Sequence, residues 1–492
     1  MPYKSHLRLL AELILRSIHA IESRLDNEGL EFPRLADPFD ATDKAEKVLL
    51  EDEMLAATSQ IVAAASQLIA MVRSPVQTIM EDSLLFHLPS CMRAAVESNM
   101  VEIIRESGAQ GIHANDIAKI NNTDPVKAGT REYFGSSPTT IYLPRLGLMC
   151  SPPIDFRLFL IPESRWLTYN KSACPLPNEA HYKSNTSCGS PNCRHVNTSG
   201  IGALMLMHAD EAFKGSAYLT EAFTDPATAH SVKSTDSAWN IATKTDAFLF
   251  DWYDQPENEH LKTRFSFAMA CSIKLEPPES ILVGFKWADL PENSIVVDVG
   301  GGVGSTALII AKAVPHLNLV VQDRSSVIED AKIYWAEAAP HLLESGRVKL
   351  RVHNFFAAQP LENAAVFLLR WIMHDWPDPS AIQILRHLRD AATPETKLVT
   401  VDIILPYTCS DTSVTNRIPG AGRPPAPAPL LANMGAVNNM KYWLDFQMFV
   451  LGNCQERTLG HFVDLAAQSG WTVKEVHHIP GSSLGQYISV PS

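Results

Sequence analysis

Five residues in the second half of the chain, Asp298, Asp323, Asn354, His374 and Asp402, lie at or near the ends of segments rich in Val, Ile and Leu. An imidazole titrates close to neutral pH and can carry a proton to or from a reacting group. Carboxylates accept hydrogen bonds from a protonated ring nitrogen or from hydroxyl groups. The first of the five opens a turn with little side chain in it, Asp298-x-Gly300-x-Gly302-x-Gly304. Such glycines let a ligand approach the backbone closely. A dinucleotide fingerprint requires Gly-x-Gly-x-x-Gly or Ala, and counted from Gly300 its last position is Ser305. The turn therefore suits a nucleoside ligand without a pyrophosphate. Asp298 is placed to organise it, and Asp323 to hold a vicinal ribose diol.

The elements that must position these residues are legible in the pattern. Apolar runs at 294–300, 317–323, 347–355, 364–374 and 397–405 read as strands. Helical runs at 305–314, 325–339 and 379–391 separate most of them. Near-continuous apolar strands alternating with helices predict an α/β fold, a Rossmann-like doubly wound sheet covered on both faces. Ligands of such sheets bind beyond the carboxyl ends of the strands, which is where the five polar residues fall. Residues 470–480 and 484–490, joined by Gly-Ser-Ser, predict a terminal antiparallel hairpin.

Before this domain, expected over 201–492, the chain predicts an all-helical and winged-helix dimerisation domain over 1–200. Its early helices are apolar at helical period and need a packing partner. Residues 90–125 read as helix, turn and short helix, and their few basic residues point to a dimerisation module rather than a DNA reader. From about 129 to 195, prolines and Ser/Asn/Cys clusters break every run, so this zone reads as an irregular insertion or foreign sequence. Cys188, Cys193 and His195 have no second ligand pair nearby, so no metal is expected.

Composition narrows the partners. The 492 residues are 46% hydrophobic and 19% charged, an ordinary globular mix, with a net charge of −13 that disfavours nucleic acid. No signal peptide pattern and no unbroken apolar run long enough for a bilayer is apparent, and eight scattered cysteines fit a reduced cytoplasmic protein without a membrane partner.

Three ordered motifs carry a resemblance: VVDVGGGVGS from Val296, LLRWIMHDWPD from Leu368 and NCQERTLGHFVDLAAQSGW from Asn453. Together they resemble the class I S-adenosylmethionine-dependent O-methyltransferases of the plant and fungal phenol and polyketide type. The resemblance covers roughly 200–492 and the helical region before Gly129. It implies S-adenosylmethionine as cofactor and methyl transfer to a phenolic hydroxyl of a small aromatic secondary metabolite, in a homodimer. His374 would be the general base, flanked by Asp402 and Glu456. Asp298, Gly300, Gly302 and Asp323 would hold the cofactor, with Asn354 and Phe355 against its adenine, Arg370 nearby and Met269 along its methionine part. Met448 would pack on the acceptor, and Asp375 would touch the acceptor or cap the next helix. Departures occur where the family often has Asp at 354, Lys at 370 and Glu at 402. The resemblance also fails after Ala128, where a core helix of the family is missing.

Two other readings use the same sequence. A nicotinamide-dependent dehydrogenase could share the sheet, though Ser305 and the lack of a Tyr-x-x-x-Lys pair speak against it. A winged-helix regulator with a degenerate methyltransferase domain would have no reason to retain His374, Asp402 and Glu456.

Overall fold

The computed structural model describes residues 5–33, 42–100, 114–124, 200–277, 279–407, 417–427, 430 and 432–492, with positions 103, 106, 107 and 112 between. The irregular zone expected at 129–195 lies outside the described residues.

The strands are β1 (Ile295–Val299), β2 (Asn318–Asp323), β3 (Val348–Val352), β4 (Val366–Arg370), β5 (Lys397–Leu405), β6 (Arg457–Thr458), β7 (Trp471–His478) and β8 (Leu484–Pro491). Seven of them form one continuous sheet in the order β3-β2-β1-β4-β5-β8-β7. The two-residue β6 adds in parallel to the end of β5. The first five strands are parallel to one another, whereas β8 runs antiparallel to both β5 and β7. Strand order reverses between β1 and β4, and β1 carries the glycine turn at its end.

The alternation along each strand explains the two cores. Val296, Leu319, Val321, Val366, Leu368, Val399 and Val401 face one layer, with Trp335 and Ile310 from the helices above. Those helices are Ser305–Ala313 and Ser325–Ala338. Val297, Val320, Phe367, Leu369 and Leu398 face the other layer. There they meet Ile384, Leu385 and Leu388 of Asp378–Asp390 and Phe462 and Leu465 of Leu459–Gln468. Parallel strands buried on both faces cannot alternate polar and apolar residues, which is why they read as unbroken Val/Ile/Leu runs.

The N-terminal region is helical where described. Two long helices, His6–Asp26 and Asp52–Val72, run side by side, tied by Ser17 Oγ to Gln60 Oε1 at 3.1 Å and by Arg24 to Glu51 at 2.6 Å. The sequence expectation of no bilayer-length apolar segment is corrected here. Asp52–Val72 is long and apolar enough by length and composition alone, and little of its apolar window is buried. Its two leading acids and three hydroxyl-bearing positions, Thr58, Ser59 and Ser66, break the run in sequence without breaking the helix. The helix–turn–helix expected near 90–125 appears as His87–Glu97 and Ala114–Asn121; the rest of that motif lies outside the described residues.

Trp335 is fully buried, and its indole Nε1 donates to the carbonyl oxygen of Val303 in the glycine turn at 2.9 Å. It thereby couples the core to the glycine turn. Trp335→Ala should cost about 3–5 kcal/mol through the cavity it leaves, read as a lower denaturant midpoint in urea unfolding.

Candidate active site

The glycine turn is shaped by positive φ at Gly300 (66°), Gly302 (60°) and Gly304 (83°). At Gly300 an added Cβ would stand 2.6 Å from Ile372 Cδ1 and 3.3 Å from Phe355 Cε1, so backbone and aromatic ring meet there directly. At Gly302 the space beside the backbone is open. The two positions form a wall and a gap at the switch point of the sheet, where such folds take their ligands.

Acids surround this gap. Asp323 Oδ2 accepts from the backbone N–H of Gly302 at 2.8 Å, and Oδ1 accepts from Arg324 N at 2.7 Å. Its carboxylate therefore shapes the turn as well as standing at the strand end. Burial raises its pKa, against the two backbone hydrogen bonds. Asp298, beneath the turn, is pushed up to about 7, first by burial and also by Asp323, while Arg370 opposes the shift. Asp298 Oδ2 and Arg370 Nε are buried without partners, and Arg370 Nη1 donates to Thr306 Oγ1 at 2.9 Å. A buried carboxylate, a buried guanidinium and an open glycine backbone form a donor and acceptor set that fits a polar nucleoside ligand carrying an amino-acid tail.

Three other cofactor candidates lie in the following surroundings. The Asn354 side-chain oxygen, expected to face adenine, accepts from Phe356 N at 3.0 Å and closes a local turn. Asn at that position is satisfied by its own backbone, the usual behaviour of Asn in turns. Phe355 lies against the glycine turn and packs edge-on to Trp376 at 5.8 Å. Met269 sits on the helix Glu259–Leu275 in an apolar cluster with Leu204, Met207 and Met440.

His374 lies in a short 3₁₀ turn just past β4. Its Nδ1 is 2.8 Å from Oε1 of Glu456, and its Nε2 is 3.5 Å from Oδ1 of Asp375. Asp402, at the centre of β5, is the third acid around the ring. Burial pulls the imidazole down, but Asp375, Glu456 and Asp402 outweigh it and push His374 up to about 10. Burial and the neighbouring acids push Asp402 up to about 8 and Asp375 up to about 6. Three carboxylates around one imidazole favour its protonated form, the form a base reaches after taking a proton.

Several elements hold this geometry. The Glu456 backbone N–H donates to Oδ1 of Asp445, from the helix Asn439–Gly452, at 2.8 Å. The carbonyl of His374 accepts from Gln455 N at 3.0 Å. Arg457 donates to the carbonyls of Met373 and Trp376 at 2.6 and 2.8 Å and to Asp378 at 2.8 Å. His461 Nε2 pairs with the other Asp378 oxygen at 2.7 Å. Sequence reasoning missed Arg457, Asp378 and His461. The signal was the arginine directly after Glu456, a charged residue inside an otherwise buried segment. Trp371, read as packing, has φ of +57° and lies tilted at 51° to the His374 ring, with centroids 4.9 Å apart. A bulky residue held at positive φ is strained and persists only where its surroundings fix it. Met448 packs among Phe86, Phe250, Trp252 and Leu451 in a separate aromatic cluster. Among the described residues no group of His, Cys, Asp and Glu could hold a metal ion.

The fold and this site define an enzyme of nucleoside-cofactor chemistry on a doubly wound sheet, with a carboxylate-held histidine beside the cofactor rim. Comparison with known proteins gives the family. Residues 232–419 match the O-methyltransferase domain. An O-methyltransferase of Armillaria gallica is 37% identical over 483 residues, covering 98% of this chain and 97% of that one. The 4-O-methyltransferase 1 of Phanerochaete chrysosporium is 36% identical over 478 residues, covering 96% of each. O-methyltransferase gedA of Aspergillus terreus is 27% identical over 496 residues, covering 94% of this chain and 92% of that one. The chain belongs to the S-adenosylmethionine-dependent O-methyltransferase family, and S-adenosylmethionine is its cofactor. The dehydrogenase and regulator readings are not favoured.

Asp323→Ala should weaken S-adenosylmethionine binding roughly tenfold or more, since charge-assisted hydrogen bonds contribute about 1.5–3 kcal/mol. Isothermal calorimetry giving an unchanged affinity would remove Asp323 from the cofactor site.

Proposed function

We propose that the protein transfers the methyl group to a phenolic hydroxyl of a small aromatic secondary metabolite, with His374 as general base. The observation that carries this reading is the 2.8 Å pairing of His374 Nδ1 with Glu456. That contact fixes the ring and leaves Nε2 to take a proton. A phenol has a pKa of about 10 and is a weak nucleophile at neutral pH until it loses its proton. His374, raised to about 10 by its carboxylates, is closely matched to it, so proton transfer between them is nearly balanced in free energy. Asp402 and Glu456 stabilise the imidazolium that results. When bound, S-adenosylmethionine supplies an electrophilic methyl group on a sulfonium. Asp298, Asp323, the glycine turn and Arg370 would hold it, with Phe355 against the turn. The aromatic residues Phe248, Phe250, Trp252 and Trp376, which pack on one another, support an aromatic acceptor. Asp375, whose Oδ1 is 3.5 Å from Nε2, would meet the acceptor hydroxyl.

His374→Ala should leave cofactor affinity near normal and lower turnover by about 10²–10⁴-fold. The assay uses a panel of catechol, guaiacol and 1-naphthol. Turnover within about threefold of wild type on the best of these would dismiss His374 as the base.

The pH dependence follows in sign. A base must be unprotonated to act, and His374 holds its proton up to about pH 10, so kcat/KM should rise with pH through the neutral and alkaline range. Glu456→Gln removes one carboxylate that favours the imidazolium, so the rise should move to lower pH while its plateau falls. Stability runs the other way. The contribution of the charged His374 is fully present below its unfolded value, about 6.5, and is lost as pH climbs towards about 10.

The N-terminal helices support a homodimer as the working unit. Leu55, Val62, Met71 and Val72 on Asp52–Val72 are exposed, with Leu7, Leu9 and Leu15 on the neighbouring helix. Val62→Asp with Met71→Asp should shift the sedimentation coefficient towards a monomer. A wild-type protein that sediments as a monomer would contradict the dimer.

A further inference from the structure

Behind His374 lies a small cavity about the size of one water molecule, lined by Met373, His374, Asp402, Glu456, Phe462 and Tyr487 among others. Its polar content is unusual. Both oxygens of Asp402, Oε2 of Glu456 and the Tyr487 hydroxyl are buried without a protein partner, as is Oγ1 of Thr400, which neighbours the cavity in the strand pairing without lining it. Strand register brings three of these residues together. Thr400 of β5 stands opposite Tyr487 of β8, and Asp402, two residues on, stands opposite Gly485, which presents no side chain. Residues two apart on a strand, and residues paired across strands, share a face. Thr400, Asp402 and Tyr487 therefore share one face of the sheet, and Tyr487 is the diagonal neighbour of Asp402. The Tyr487 ring is fixed by stacking on Phe462 at 4.0 Å and 27°.

The set is rich in acceptors and poor in donors. Oxygens of Asp402 and Glu456 accept, Tyr487 can donate one hydrogen, and Asp402, pushed up to about 8, donates another while it holds its proton. Leaving such groups unpaired costs about 1–3 kcal/mol each, so native cavities of this kind are filled by a molecule with two donors and two acceptors. We propose that this cavity is a built site for an ordered water, held by Asp402, Glu456 and Tyr487, and that Tyr487 is a positioning residue for the catalytic base. The assignment of a role to Tyr487 rests on His374 as base; the water site itself does not.

The arrangement gives Asp402 a function that direct contact does not. Asp402 sits 5% exposed and makes no hydrogen bond to a protein group. The water ties it to Glu456, which holds His374 directly. Tyr487, buried well away from solvent and with its phenol pKa raised by burial and by Asp402, keeps its proton and donates. The other titratable groups around this cavity are His374, Asp375, Arg457 and Tyr407. Removing the Tyr487 hydroxyl would loosen Asp402 and change how strongly the carboxylates favour the imidazolium.

Two measurements on the full-length protein test this. A high-resolution crystal structure should show a water within hydrogen-bond distance of Asp402 and Tyr487. Tyr487→Phe keeps the ring on Phe462 and should lower kcat roughly three- to tenfold, the worth of one hydrogen bond, on the phenol that the wild type turns over fastest. KM and S-adenosylmethionine affinity should hold, and the midpoint of the pH rise should move. Adding Tyr487→Phe to Asp402→Asn should produce little further loss, because both act through one network. A cavity closed by direct contact between Asp402 and Tyr487 overturns the water site. A Tyr487→Phe pH profile superimposable on wild type overturns the positioning role. An active His374→Ala would refute the base while leaving the crystallographic result to stand on its own.

Discussion

The hydrogen bond between His374 Nδ1 and Glu456 is the constraint on which the site depends. It joins residues 82 apart in the chain, one just past β4 and the other immediately before β6. Neither element fixes the ring alone. The histidine turn is short and strained at Trp371, and the Glu456 segment has little regular structure of its own. Arg457 and Asp378 hold the two together, since Arg457 reaches two carbonyls of the histidine turn and Asp378 receives Arg457, Gln455 and His461. A buried arginine with this many satisfied donors offsets its desolvation, where a single ion pair would not.

The same packing sets the electrostatics. A lone buried imidazole would lose its proton, as His87 and His208 do, lowered by burial to about 3 and about 4. His374 is equally enclosed and moves the opposite way because acids arrive from β5, from β6 and from its own turn. The cost falls on the acids, with Asp402 and Asp375 raised. A single charged histidine thus serves several carboxylates. That imbalance is what makes solvent in the cavity behind it a structural part of the site.

The cofactor side obeys a different rule. There the backbone does most of the positioning, through three glycines at positive φ and the buried Trp335 beneath them. The two halves meet at one sheet rim because β1 and β4 are neighbours, β1 delivering the glycine turn and β4 the histidine turn. The glycine turn and the histidine turn are brought together by strand order, without any contact between their own side chains being required.

Much of this architecture is legible in the order of residues alone. The five parallel strands follow from Val/Ile/Leu runs, since a strand buried on both faces leaves no room for polar alternation. The glycine turn and His374 stand out because each needs a residue type that nothing else replaces. The turn that Asn354 closes by accepting from Phe356 N was not legible, since an asparagine suits both a ligand contact and a local turn. Arg457, Asp378, His461 and Tyr487 escape notice for a related reason. Their importance lies in partners 77 to 84 residues away, or across a strand pair, and sequence spacing carries no record of such distances. The sequence by itself determined which elements form and which side chains can do chemistry. Tertiary structure decided which carboxylates surround the imidazole, and so in which direction its proton is held, because that depends on burial and distance rather than on residue type.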